Sequence, residues 1–156
     1  MAYWKWDSSY ELGINTIDDQ HKELVRYINE LQAALTTRNR EQIYKVLIGM
    51  TNYTISHFAF EEKLMEEAGY EMAEHHKKTH DLFVAIIQRY KSSFEEGYNI
   101  TGQLMAEIQI WLTHHIAYDD NDYKECVKKM LEYKSSKQLK NKIVHEKKGW
   151  FSALFR

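Results

Sequence analysis

A chain of 156 residues, 44% hydrophobic and 28% charged, has the size and composition of one globular domain and excludes an intrinsically disordered protein. Its net charge of −2 excludes a whole-protein attraction to nucleic acid or to acidic membranes. The single Cys126 excludes an internal disulfide, the N-terminus lacks an apolar signal core, and no run approaches the ~18 apolar residues of a membrane span, so a cytoplasmic location is expected.

There is no proline. Together with long charged–apolar periodicity this predicts an all-α protein. Residues 1–17 read as an aromatic arm, with Tyr3, Trp4, Trp6 and Tyr10 ahead of Leu12-Gly13-Ile14. Asp18 or Asp19 is expected to cap the first helix. Along that helix His21, Leu24, Ile28, Leu31 and Leu35 recur in steps of three and four, which is a buried stripe. The second helix is expected from about Arg40, with the stripe Ile43, Leu47, Met50, Thr54, His57, Glu61 and Leu64. Gly49 within it permits close approach of a neighbour. Gly69 is placed where a helix stops and reverses. The third helix is expected over about 72–94, on the stripe Met72, His76, His80, Phe83, Ile87, Tyr90 and Phe94.

The fourth helix carries Leu104, Ile108, Trp111 and His115 in a 4-3-4 rhythm. Two adjacent pairs compete here, because His114 precedes Asp119 by five residues and His115 precedes Asp120 by five. The stripe selects His115, whose partner five residues on is Asp120, and leaves His114 on a mixed face. For Asp120 to turn inward, the polar run Asp119-Asp120-Asn121-Asp122 must bend the helix. A shorter helical segment with Tyr123, Val127 and Met130 follows, and the lysine-rich stretch 134–142 reads as a linker.

His57 and Glu61 are four residues apart, as are His76 and His80, and that spacing stacks two side chains on one helix face. One such pair alone is usually a pair of surface residues. Two pairs flanking one turn, both on core stripes, point to metal. With His21, His115 and Asp120 the set holds five imidazoles and two carboxylates. Buried carboxylates need cations. Seven ligands exceed the four that one zinc takes, and they suit two bridged metals. Five histidines divide unequally, so one metal is filled and the other keeps an open position. A histidine-rich set is also less negative than the Glu-rich sites of oxygen-activating bundles.

These residues resemble the hemerythrin family in its bacterial form. The matching motifs are Gly13-Ile14, Ile17-Asp18-x-Gln20-His21-Lys22, His57-Phe58-x-x-Glu61-Glu62, Gly69-Tyr70, His76-x-x-x-His80 and Trp111-Leu112-x-x-His115-Ile116-x-x-x-Asp120. At the turn, Glu71 stands where family members often carry proline. The resemblance implies an antiparallel up-down four-helix bundle with an N-terminal arm and a short C-terminal helix. It implies two iron ions with a carboxylate and oxo or hydroxo bridge. His76, His80 and His115 would serve the six-coordinate iron, His21 and His57 the five-coordinate one, with Glu61 and Asp120 bridging. Phe58, Trp111, Leu112 and Ile116 would line a dry ligand pocket. The implied activity is reversible dioxygen binding, for storage or delivery, by a protein that is not an enzyme. An oxygen or redox sensor, or a peroxide or nitric oxide scavenger, would use the same site.

The resemblance divides the chain into a di-iron bundle over 1–133 and a basic tail over 134–156. The tail holds seven Lys or Arg and one acidic residue, Glu146. Ile143, Trp150, Phe151, Leu154 and Phe155 fall near one side of a helical tail. Such a tail either covers an apolar patch of its own bundle or docks on a partner protein or an anionic membrane surface.

Overall fold

The structure, a computed structural model, describes residues 3–154, and the side chains of all of these except Thr101 and 143–154. Helices α1 (Asn15–Thr37), α2 (Arg40–Ala68), α3 (Ala73–Glu95) and α4 (Thr101–His114) are joined by short turns. A π-helical segment, His115–Asp120, then leads without a break into α5 (Asn121–Leu154). Residues 101–154 therefore form one long helical run, and the molecule is the expected four-helix bundle. No strand occurs among the described residues.

Local chemistry fixes each turn. Asn39 caps α2 by accepting the Gln42 N–H at 3.1 Å. Gly69 ends α2 at φ 68°, a left-handed conformation that suits glycine, and its N–H bonds back to Glu66. The expected cap of α1 is different. The helix begins at Asn15, so Asp18 lies inside its first turn. Its carboxylate instead accepts the Leu12 N–H at 2.7 Å and the Gly13 N–H at 3.0 Å, and so folds the arm onto the helix start. Farther out, the arm is pinned to α1 by reciprocal bonds between Trp4 and Asn29 at 2.8 and 2.9 Å.

The stripes are buried as expected, except that Leu35 and Trp111 are half-buried and Met72, at the N-terminus of α3, is exposed. A Cβ on Gly49 would lie 3.1 Å from the Tyr27 ring, so this glycine is what lets Tyr27 of α1 lie against α2. The apolar core falls into two clusters. One runs from Leu24, Phe58 and Ile116 through most of the bundle, and a smaller one holds Ile17, Leu64, Met65 and Tyr123. On α1, α2 and the C-terminal run, the layer between the two clusters is where His21, Glu61 and Asp120 are buried.

The C-terminal helix differs from expectation. It is 34 residues long and continues through 134–142, where a linker was expected. Lysine, glutamine, leucine and serine carry no strong helix-breaking signal, and Gly149 is the first glycine after Gly102. Polarity alone does not end a helix.

Candidate metal centre

All four helices of the bundle contribute. His21 comes from α1, His57 and Glu61 from α2, and His76 and His80 from α3. His115 and Asp120 come from the π-helical segment. All seven side chains are buried. In an α-helix, residues five apart point about 140° away from each other. A π turn closes i to i+5, and that change of pitch brings Asp120 under His115. The bend anticipated from the polar run is this π segment.

Ligand atoms of Glu61, His76, His80, His115 and Asp120 all lie within 4.8 Å of one another, and so do those of His21, His57 and Glu61. Nε2 of His80 is 3.0 Å from Nε2 of both His76 and His115. Two nitrogens at right angles, each ~2.1 Å from one ion, would be ~3.0 Å apart. His80 is therefore spaced from His76 and from His115 as two nitrogens sharing one metal would be. Each carboxylate faces both groups. Asp120 Oδ1 is 3.3 Å from His76 Nε2 and 3.1 Å from His115 Nε2, while its Oδ2 is 3.2 Å from His21 Nε2. Glu61 Oε2 is 3.4 Å from His80 Nε2 and 3.5 Å from His57 Nε2.

The donor set fits metal ions on its own chemistry. His21 Nε2, His57 Nε2, Glu61 Oε2 and both oxygens of Asp120 are buried without a hydrogen-bond partner. Orphaned polar atoms of this kind are costly unless something else satisfies them. Before a cation binds, protons balance the carboxylates. Burial pushes His115 down, but the nearby charge of Asp120 and the bond to Asp119 outweigh it and raise it to about 10. Burial also opposes His21, which the neighbouring carboxylates of Asp120 and Glu61 raise to about 9. Burial wins at His57, which falls to about 4. Burial pushes Glu61 and Asp120 up, yet the surrounding imidazoles hold both below the usual carboxylate range.

A surrounding layer of residues orients these ligands, and sequence reasoning missed it. Nδ1–H of His57 donates to Gln20 at 2.8 Å, that of His80 to Glu62 at 3.0 Å, and that of His115 to Asp119 at 2.9 Å. Each bond fixes the ring and leaves Nε2 free to coordinate. The Tyr123 hydroxyl donates to Glu61 Oε1 at 2.6 Å. Burial and the Glu61 charge raise that phenol well above its ordinary value, so it stays a donor. Gln20 and Glu62 each adjoin a ligand residue in sequence, and Asp119 was visible as the competitor of Asp120. Tyr123 read only as an apolar position. His114, which the stripe left on a mixed face, is exposed, and so is His75.

Aromatic rings close the other side. Phe58 stacks on His80 with centroids 3.8 Å apart, Trp111 on His115 at 4.2 Å, and Phe83 on Trp111 at 3.7 Å. Phe58, Trp111 and Leu112 line an apolar cavity with Leu24 and Met50. Ile116 is buried in the same core but does not line that cavity. Thr54 brings a hydroxyl to the wall, and it donates to the Met50 carbonyl at 2.8 Å.

Residues 12–127 match the family model described as Hemerythrin HHE cation binding domain. The chain belongs to the hemerythrin family. A bacteriohemerythrin of Pseudomonas aeruginosa is 37% identical over 152 residues, covering 97% of this chain and 95% of that protein. One from Stenotrophomonas maltophilia is 35% identical over 150 residues, covering 96% and 94%. One from Methylococcus capsulatus is 32% identical over 130 residues, covering 81% of this chain and 98% of that protein. A solved wild-type hemerythrin superposes with a TM-score of 0.77 at 29% identity, covering 81% of this chain and 98% of that one. Hemerythrins bind a di-iron centre and are oxygen-binding proteins rather than enzymes, and the His, Glu and Asp cluster here is suited to such a centre.

Proposed function

We propose that His76, His80 and His115 hold one iron, His21 and His57 hold a second, and Glu61 and Asp120 bridge the two. On this reading the protein binds dioxygen reversibly and serves as an oxygen store or carrier in the cytoplasm. The observation that carries the proposal is the unequal split of the buried imidazoles around two shared carboxylates. When bound, the iron pair supplies the electrons that a dioxygen ligand takes up.

The chain's own residues then have separable tasks. Gln20, Glu62 and Asp119 hold three rings so that Nε2 faces inward. Tyr123 fixes the orientation of Glu61. Phe58, Trp111, Leu112 and Ile116 keep water away from the imidazoles, and Thr54 has its hydroxyl bonded to the backbone. Two carboxylates against five neutral imidazoles leave the centre little excess negative charge. Such a centre favours the reduced metal and binding of dioxygen over cleavage of its O–O bond.

The test is metal analysis followed by optical spectra of reduced, iron-loaded protein cycled between air and argon. Two irons per chain are expected, with colour that develops in air and bleaches under argon. A single zinc per chain would overturn the di-iron assignment. Irreversible oxidation within one cycle would overturn the carrier reading and leave a redox sensor in its place.

A further inference from the structure

Seven of the 21 basic residues and one of the 23 acidic residues lie in 134–156, so this segment carries +6 and residues 1–133 carry −8. The structure places the start of this basic segment on a helix that leaves the bundle. Every residue from Glu132 to Lys142 is exposed. At its base Lys134 pairs with Glu67 of α2. Beyond that, Lys137, Leu139, Lys140 and Lys142 face solvent on all sides of the helix. Residues 134–142 therefore do not cover the bundle. The apolar residues Ile143, Trp150, Phe151, Leu154 and Phe155 lie outside the residues whose side chains are described and are known from the sequence alone. The helix reaches Leu154, and positions 143, 150 and 154 recur at steps of seven and four, which is one side of a helix.

The comparisons cover the N-terminal part of the chain more consistently than the whole of it. The family match ends at residue 127. The Methylococcus relative is covered almost entirely yet reaches only 81% of this chain, whereas the Pseudomonas and Stenotrophomonas relatives reach 96–97%. Some relatives thus align with nearly the whole of this chain and another with about four fifths of it.

We infer that the helix beyond Lys134 is an anchor that docks the bundle on an anionic phospholipid surface. Charge selects this occupant. A second copy of the same helix would bring like charges together. A helix with an apolar side gains from a surface that covers that side. Lysines followed by Trp and Phe suit the junction of headgroups and acyl chains. No described helix is long and apolar enough to cross the bilayer, so the mode is surface binding.

The test uses full-length, iron-loaded protein and sedimentation with vesicles. Phosphatidylcholine vesicles containing phosphatidylglycerol are expected to bind it at least about tenfold more tightly than pure phosphatidylcholine, and added salt should remove that preference. Lys137→Glu/Lys140→Glu/Lys142→Glu and, separately, Trp150→Ser/Phe151→Ser should each weaken binding about tenfold or more, with iron content and optical spectrum unchanged. Equal binding to both vesicle types would overturn the proposal, as would either variant binding like the parent. Tail-dependent dimerisation or RNA binding without vesicle binding would overturn it too. Because iron content and spectra are read on the same samples, failure of the anchor is distinguishable from failure of the oxygen-binding assignment.

Discussion

Two protons stand where two metal ions would balance Glu61 and Asp120, and this makes a prediction about pH. The perturbation is a rise in pH applied to protein stripped of metal. His21 is raised to about 9 and His115 to about 10 in the fold, against an unfolded value near 6.5. A histidine raised on folding contributes stability that is complete below its unfolded value and is lost as pH climbs through its folded one. Each such proton changes stability by ~1.4 kcal/mol per pH unit within that window. The two together lower it by ~4 kcal/mol between about pH 7 and 8.5, a large part of the ~5–15 kcal/mol that holds a domain together. His57 acts in another window, below 6.5, because its folded value is depressed. For a chain of this size ~4 kcal/mol corresponds to a fall of ~8–16 °C in Tm.

The assay is thermal unfolding of stripped and iron-loaded protein, followed by circular dichroism across that pH range. The stripped protein should lose stability as pH rises, and the loaded protein should show a much flatter profile because metal replaces the titrating protons. Calorimetric loading near pH 7 in buffers of different ionisation enthalpy should register release of about two protons per chain. A stripped protein whose Tm is constant or rises from pH 7 to 8.5 would refute the protonation pattern deduced from the site.

Two further outcomes follow from the geometry. Asp120→Ala removes a carboxylate that faces both groups of imidazoles and should empty both positions by elemental analysis, whereas His114→Ala, on the exposed neighbour, should leave the iron content intact. Tyr123→Phe keeps the buried ring but strips the donor from Glu61, and should cost ~1.5–3 kcal/mol in urea unfolding, as expected for a bond to a charged group. Tyr70→Phe, which loses a bond to the exposed Asp122, should cost well under half of that.

What was legible in the sequence, and what was not, follows the reach of periodicity. The stripe through His57 and Glu61 and the stripe through His76 and His80 could be read because an α-helix repeats its faces at three and four residues. The same rhythm placed His115 inside and His114 outside. It could not place Asp120, since no α-helical spacing puts residues five apart on one face, and only the π segment explains how both are buried together. The partners of the imidazoles were hidden for a related reason. Gln20 of α1 meets His57 of α2, and Glu62 of α2 meets His80 of α3, so neither bond has a sequence spacing of its own. Tyr123 shows the limit most clearly. Its hydroxyl bonds a carboxylate 62 positions earlier, while its ring fills an apolar slot that any large hydrophobic residue would mark in the same way. The tail reverses the case. Its lysines suggested a linker, yet the helix runs on through them, because composition reports solubility and only backbone-breaking residues report where a helix must stop.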